Sequence, residues 1–241
     1  MFSLQNKVIV LTGATGTLGG SLALSLAHAK ARVIVLGRNQ SILDALLEKL
    51  TPLTVAAAFV VDVMDKDDLK QINNKIIDQF GQIDVLINAV GGNLPGAVIM
   101  EDQSIFDMSV PDFDEVINLN LKGTVLPSLV FGKSMSMKGK GAIVNYSSMA
   151  VEMALKFGDG IRVNAISPGF FIGKQNQKLL LNEDGSYTER GEKIIRNTPM
   201  KRFGKAEELN GAIHFLCSDS ASFVTGIVLP IDGGFSAFSG V

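Results

Sequence analysis

The chain has a single cysteine, no tryptophan, two histidines and two tyrosines among 241 residues. One thiol, Cys217, excludes a disulfide framework and any metal site built on cysteines, and it reads as a small buried apolar residue. His28 and His214 lie far apart within helical patterns, so they read as core or surface residues, and no metal site is expected. Charge of one sign is also lacking. The formal net charge is −2 and no basic block is present, which speaks against a nucleic-acid partner. No apolar run approaches membrane-spanning length and no leader pattern precedes the first apolar run, so a cytoplasmic protein without a membrane partner is expected.

What the sequence does have is glycine, 25 residues of it. The informative ones are Gly13, Gly16 and Gly19 in Thr12-Gly13-Ala14-Thr15-Gly16-Thr17-Leu18-Gly19, directly behind the apolar run Val8-Ile9-Val10-Leu11. The order is strand, tight turn, helix start, with Leu18, Leu22 and Leu26 giving the helix its apolar stripe. Glycines let the backbone approach a pyrophosphate, and the N–H groups opening the helix face the negative charge. The run Val33-Ile34-Val35-Leu36 then ends in Gly37-Arg38-Asn39. No carboxylate stands there to accept the adenosine ribose hydroxyls, whereas Arg38 can pair with a 2′-phosphate. NADP(H) is therefore favoured as cofactor, with NAD(H) open.

Further apolar runs at 55–61, 84–87, 142–147, 161–166 and 227–230 suit strands buried on both faces. Helical periodicity falls at 17–30, 41–50, 66–80, 113–135 and 206–218. This alternation predicts an α/β fold, a doubly wound Rossmann-type parallel sheet flanked by helices, in one domain spanning 1–241. The polar stretch 173–200 breaks the pattern and suits a lid over the substrate.

In its landmarks the chain resembles the short-chain dehydrogenase/reductase family over nearly its whole length. Asp62-Val63 stand where the family places its adenine contact. Asn88-Ala89 end the fourth strand, with Val90 where a glycine is usual. Asn120 matches the family's helix asparagine, Ser147-Ser148 end the fifth strand, and Pro168-Gly169 follow the sixth. Thr225-Gly226 and Asp232-Gly233-Gly234 close the set. The resemblance implies cofactor contacts at Gly13, Thr15, Gly16, Thr17, Leu18, Gly19, Arg38, Asp62, Val63, Asn88, Ala89, Val90, Pro168 and Gly169. It implies catalytic roles for Ser148, on the substrate oxygen, and Asn120, holding a relay water. Hydride transfer between nicotinamide and a secondary alcohol or ketone is the implied reaction.

Within the family the chain is most similar to sugar-acid oxidoreductases of the D-mannonate oxidoreductase or fructuronate reductase type. The likeness lies in Gly91-Gly92-Asn93-Leu94-Pro95, Phe170-Phe171, Gln175-Asn176, Thr198-Pro199-Met200 and Ser239-Gly240-Val241. A 3-oxoacyl thioester or another ketone is the alternative small-molecule substrate. Lys174, Arg190 and Arg196 are candidate partners for a substrate carboxylate, and Arg202 reads as structural. The resemblance also implies a homo-oligomer, tetramer or dimer. The apolar positions Val116, Ile117, Leu121, Val125, Leu129 and Val130 exceed what one sheet face needs.

Two departures from the family pattern stand out. The middle glycine falls one position early, where most members would have it at Thr17. The second concerns the family's chemistry, which rests on a tyrosine with a lysine four residues on. Here Ala150 follows Tyr146 at that distance and Gly191 follows Tyr187. The connection between the fifth and sixth strands sits at the ~12-residue floor for a parallel crossover. Two helical turns rise only ~12 Å against a strand of ~17–20 Å. A segment is therefore expected between Ala150 and Val151 that the 241 residues do not contain. If it is truly absent, the chain reduces to a catalytically inactive dinucleotide-binding protein.

Overall fold

Val8–Thr12 forms β1, and all five of its residues are buried. Ile9 and Leu11 enter one core while Val8 and Val10 enter the other, as a strand covered on both faces requires. The computed structural model describes residues 2–98, 103–146, 160–173 and 176–237. Six further strands join β1: β2 (Arg32–Gly37), β3 (Ala56–Val60), β4 (Val85–Asn88), β5 (Gly141–Asn145), β6 (Ile161–Pro168) and β7 (Val228–Ile231). They form one sheet in the order β3-β2-β1-β4-β5-β6-β7, parallel at every pairing. The order reverses between β1 and β4, and ligands of such sheets bind at that switch, beyond the strand C-termini. Register aligns Thr12 with Asn88 and Asn88 with Asn145 along this edge.

Two helical layers cover the sheet. Leu22 and Leu26 of α1 (Thr17–His28), Leu43, Leu46 and Leu50 of α2 (Gln40–Leu50), and later residues Ile213 and Leu216 fill one core. Leu69, Ile72 and Ile76 of α3 (Lys66–Phe80) fill the other, together with Phe131 and Met135. The bounds of α3 are the sequence-derived ones, because its ends are chemically marked. Asp65 accepts from the Asp67 and Asp68 N–H groups, and Gly81 takes φ 81° beyond the last turn. Helix α1 stops at His28, short of residue 30, because Lys30 turns the chain into β2 with φ 62°.

The single helix expected at 113–135 is instead α4 (Val110–Ile117), a π turn (Asn118–Lys122) and α5 (Gly123–Lys138). Pro127 has no N–H for the Gly123 carbonyl, and Asn120 is drawn out of the regular spiral by contacts described below. The stretch 173–200 carries structure of its own: α6 (Gln177–Leu180), α7 (Glu189–Asn197) and an antiparallel bridge between Leu181 and Tyr187. Leu180, Ile194 and Phe203 form a small separate core there. The helix expected at 206–218 divides into a 3-10 turn, Ala206–Leu209, and α8 (Asn210–Cys217). Ser147, Ser148, Ala150, Val151, Lys174, Gln175 and residues 239–241, singled out above, lie outside the described residues.

Candidate dinucleotide site

The turn after β1 is built by steric necessity. Gly13 takes φ +68°, and a Cβ there would lie 2.3 Å from the Ala89 carbonyl oxygen. A Cβ on Gly19 would lie 2.3 Å from the Gly13 oxygen. Only glycine at both positions lets the turn, the start of α1 and the end of β4 meet this closely. Between them Gly16 is the N-cap of α1 and offers no side-chain acceptor. By contrast, Asn39, Asp65, Ser109 and Thr188 cap α2, α3, α4 and α7 with side-chain oxygens. The N–H groups opening α1 are thus left for an external anion, with the positive end of the helix dipole behind them.

A cleft of about 460 Å3 opens in front of them. Gly13, Thr15, Gly16, Thr17, Leu18 and Gly19 form its floor, Arg38 and Asp62 with Val63 one end, and Ala89 and Val90 a wall. Arg38 is exposed and Asp62 is turned to its own backbone, accepting from the Met64 N–H at 2.9 Å. Leu119, Ile172, Gly173 and Asn176 also line the cleft, none of them expected as a cofactor contact, Asn176 having been marked only for its likeness to sugar-acid oxidoreductases. Asn176 ties the last of these walls together. Its Oδ1 accepts from the Gly173 N–H at 2.8 Å and its Nδ2 donates to the Phe171 carbonyl at 2.8 Å.

Other expected residues stand beside the cleft instead of lining it. Asn88 is buried beneath it and donates to Ser128 Oγ and Asn145 Oδ1, both at 2.9 Å. Pro168 ends β6, and Gly169 packs so closely on Asp232 that a Cβ would lie 2.5 Å from its Cα. Asn120 is half-buried in the π turn. Its Oδ1 accepts from the Gly92 N–H at 2.9 Å and its Nδ2 donates to the Gly92 carbonyl at 3.1 Å. Thr12 Oγ1 accepts from the Ala89 N–H at 3.2 Å, which fixes the end of β4 to the end of β1.

The two tyrosines are not placed to exchange protons in the cleft. Tyr146 sits in the core with α1 and α8, its hydroxyl buried without a partner, and burial raises its pKa above the ordinary value. Tyr187 lies on the excursion, stacked edge-on against Phe203 at 5.4 Å. Arg190 is half-buried in the first turn of α7, and Arg196 is exposed in its last turn. Arg202 makes two bonds of 2.6 and 2.7 Å to the Glu208 carboxylate, a structural clamp. His214 Nε2 lies 3.1 Å from Ser25 Oγ, and His28 is exposed. Among the described residues no group of three or more histidines, cysteines or carboxylates is arranged to hold a metal ion.

A family model described as short chain dehydrogenase matches residues 7–159, and one described as enoyl-(acyl carrier protein) reductase matches residues 151–236. The chain belongs to the short-chain dehydrogenase family, oxidoreductases that move hydride between a nicotinamide and an alcohol or ketone carbon. It is 40% identical over 272 positions to the uncharacterized oxidoreductase UxuB of Bacillus subtilis (strain 168), covering 99% of this chain and 98% of that protein. Those 272 positions exceed the 241 residues here, so at least 31 of them have no residue in this chain. A solved structure from Haemophilus influenza, provisionally named D-mannonate oxidoreductase and holding NAD, is 37% identical with a TM-score of 0.90, covering 99% of this chain and 98% of that one. The 3-oxoacyl-[acyl-carrier-protein] reductase FabG of Thermotoga maritima is 33% identical over 258 positions, 96% of this chain and 98% of the relative.

Proposed function

We propose that the cleft holds a nicotinamide dinucleotide, NADP(H) in preference to NAD(H), and that the substrate is a sugar acid of the mannonate type. The observation that carries the cofactor assignment is the uncapped start of α1 opening on the cleft, with Gly13 and Gly19 admitting no side chain. The residues fit the group: the α1 N–H groups would hold the pyrophosphate, Ala89 and Val90 would flank the nicotinamide side, and Arg38 would meet a 2′-phosphate. Bound there, the cofactor supplies hydride chemistry. The name of the Haemophilus relative supports the sugar-acid reading, and the FabG relative keeps a 3-oxoacyl thioester as the second substrate class.

The alignment to the Bacillus relative has at least 31 positions without a residue here, as an absent segment requires, and the place expected for it, between Ala150 and Val151, rests on the crossover length. Intact mass separates the two readings of the polypeptide. A mass well above 25.7 kDa supports a complete enzyme, and 25.7 kDa leaves dinucleotide binding without the tyrosine and lysine. Titration of the protein with NADPH and NADH, followed by absorbance assays over sugar acids, ketones and 3-oxoacyl thioesters, tests the rest. Absence of binding to either nucleotide sinks the assignment. Arg38→Asp should weaken NADPH binding by about 1.5–3 kcal/mol, the range for a hydrogen bond to a charged group.

A homo-oligomer in the cytoplasm completes the reading. Ile117, Leu121 and Leu129 are 43–48% exposed along α4, the π turn and α5, which supports a partner copy on that face. Light scattering at micromolar concentration tests it, and a monomer overturns it. No helix among the described residues is long and apolar enough to cross a membrane.

A further inference from the structure

The excursion after β6 is anchored at its far end by contacts outside the cleft. Thr198 Oγ1 donates to the Ile194 carbonyl at 2.8 Å, and the Met200 N–H donates to the Gly233 carbonyl at 3.1 Å. The Gly204 N–H donates to the Phe170 carbonyl at 3.0 Å. These bonds join the end of α7 to the turn after β7 and to the end of β6, and none of Thr198, Met200 and Gly204 lines the cleft. The near end is held differently. Ile172 and Gly173 line the cleft, and Gly173 faces Thr17, the first residue of α1. Asn176 stands immediately before α6 but does not cap it with its side chain. That side chain turns back: Oδ1 accepts from the Gly173 N–H and Nδ2 donates to the Phe171 carbonyl, both at 2.8 Å. The Asn176 and Gln177 N–H groups donate to the Gly173 carbonyl at 3.1 and 3.0 Å. Both polar groups of Gly173 are thus held by the start of α6.

The connection continues from α6 to α7 through Thr188. Its N–H donates to the Leu180 carbonyl at 3.0 Å and its Oγ1 to the Leu179 carbonyl at 2.7 Å. The same oxygen accepts from the Gly191 N–H at 3.1 Å, capping α7, whose first turn carries Arg190. Helices of four and nine residues do not persist on their own, so α6 and α7 depend on these ties. We propose that Asn176 is a positioning residue that makes filling of the dinucleotide cleft and placing of the α6–α7 unit one event. A nucleotide in the cleft restrains the residues that line it, Ile172 and Gly173 among them. Gly173 cannot shift without breaking its bonds to Asn176, so the restraint passes to α6 and, through Thr188, to Arg190 and the rest of α7. Linkage then requires that an acid held by α7 tighten the nucleotide in return. This inference rests on the dinucleotide reading of the cleft.

The test is amide hydrogen exchange on the full chain, followed by mass spectrometry with and without saturating NADPH, and again with NADH. In the unmutated protein the nucleotide should slow exchange at Gly13–Gly19 and also at Gln177–Leu180 and Glu189–Asn197, by about fivefold or more. In Asn176→Ala the slowing at Gly13–Gly19 should remain and the slowing across α6 and α7 should vanish. A merely structural asparagine would change exchange equally with and without nucleotide. Nucleotide-dependent slowing of α6 and α7 that survives in Asn176→Ala overturns the proposal. So does slowing confined to Gly13–Gly19 in the unmutated protein, which leaves the dinucleotide reading standing. Binding of neither nucleotide by the unmutated protein overturns that reading and the proposal with it. Should Asn176→Ala lose the nucleotide or its fold, Thr188→Val decides. It cuts the next link, so slowing should reach α6 and stop there, and undiminished slowing of α7 overturns the route.

Discussion

Asn120 holds Gly92 from both sides, accepting from its N–H at 2.9 Å and donating to its carbonyl at 3.1 Å. The side chain so completes a small ladder between the π turn and the loop after β4, and it crowds Gly91, where a Cβ would lie 2.9 Å from the Asn120 Oδ1. Gly91 lines the cleft, so the pairing shapes its wall. Asn120→Ala removes both bonds, worth about 0.5–1.5 kcal/mol each, so urea denaturation should show a loss of about 1–3 kcal/mol. Unchanged stability would mean that the loop is held by other contacts.

Gly13→Ala combines a positive φ with a Cβ driven into the Ala89 carbonyl oxygen. A cost of at least 1–3 kcal/mol is expected from the backbone alone, on the order set by strained non-glycine conformations. Gly211 in α8 is the contrast, since an added Cβ meets nothing within 4 Å. Gly211→Ala should stabilise by about 0.4–1 kcal/mol by restricting the unfolded chain. Paired denaturation curves decide both, and a neutral Gly13→Ala would contradict the packing of the turn.

The Arg202 guanidinium holds the Glu208 carboxyl below its ordinary 4.5, at about 2, through their side-chain hydrogen bonds, with help from the Lys205 N–H. A carboxyl with a depressed pKa in the folded state stabilises above its unfolded value, and that contribution fades as pH falls from about 4.5 through about 2. Glu208→Gln should therefore differ from the unmutated protein in urea midpoint above pH 5 by a roughly constant amount. The two curves should converge on acidification. Both side chains are solvent-facing, so the difference is small and shrinks in high salt. Divergence toward low pH would reverse the assignment.

Cys217 is fully buried at the end of α8, and burial pushes its thiol up to about 12. In the folded protein it should resist iodoacetamide at about pH 8, then react once urea unfolds the chain. Labelling detected by mass in the native state, at the rate of a free thiol, would place it on the surface.

The glycine turn, the alternation of strands and helices, and the bounds of α3 were legible in the sequence, because each is written in local terms. Burial on both faces needs continuous apolar runs, a helix needs its 3.6-residue stripe, and Asp65 and Gly81 mark their own helix ends. The place of Arg38 at the cleft was legible in the same way, from its position just past the second strand. What the tertiary structure decided lies between residues far apart along the chain. The strand order brings Gly13 against Ala89, and packing sets Asn120 on Gly92 within a π turn, where periodicity alone read one helix. The placing of Asn88 beneath the cleft and the small core of the excursion arise the same way. Periodicity records which face of an element is buried, while the partner that buries it is chosen only when the whole sheet assembles.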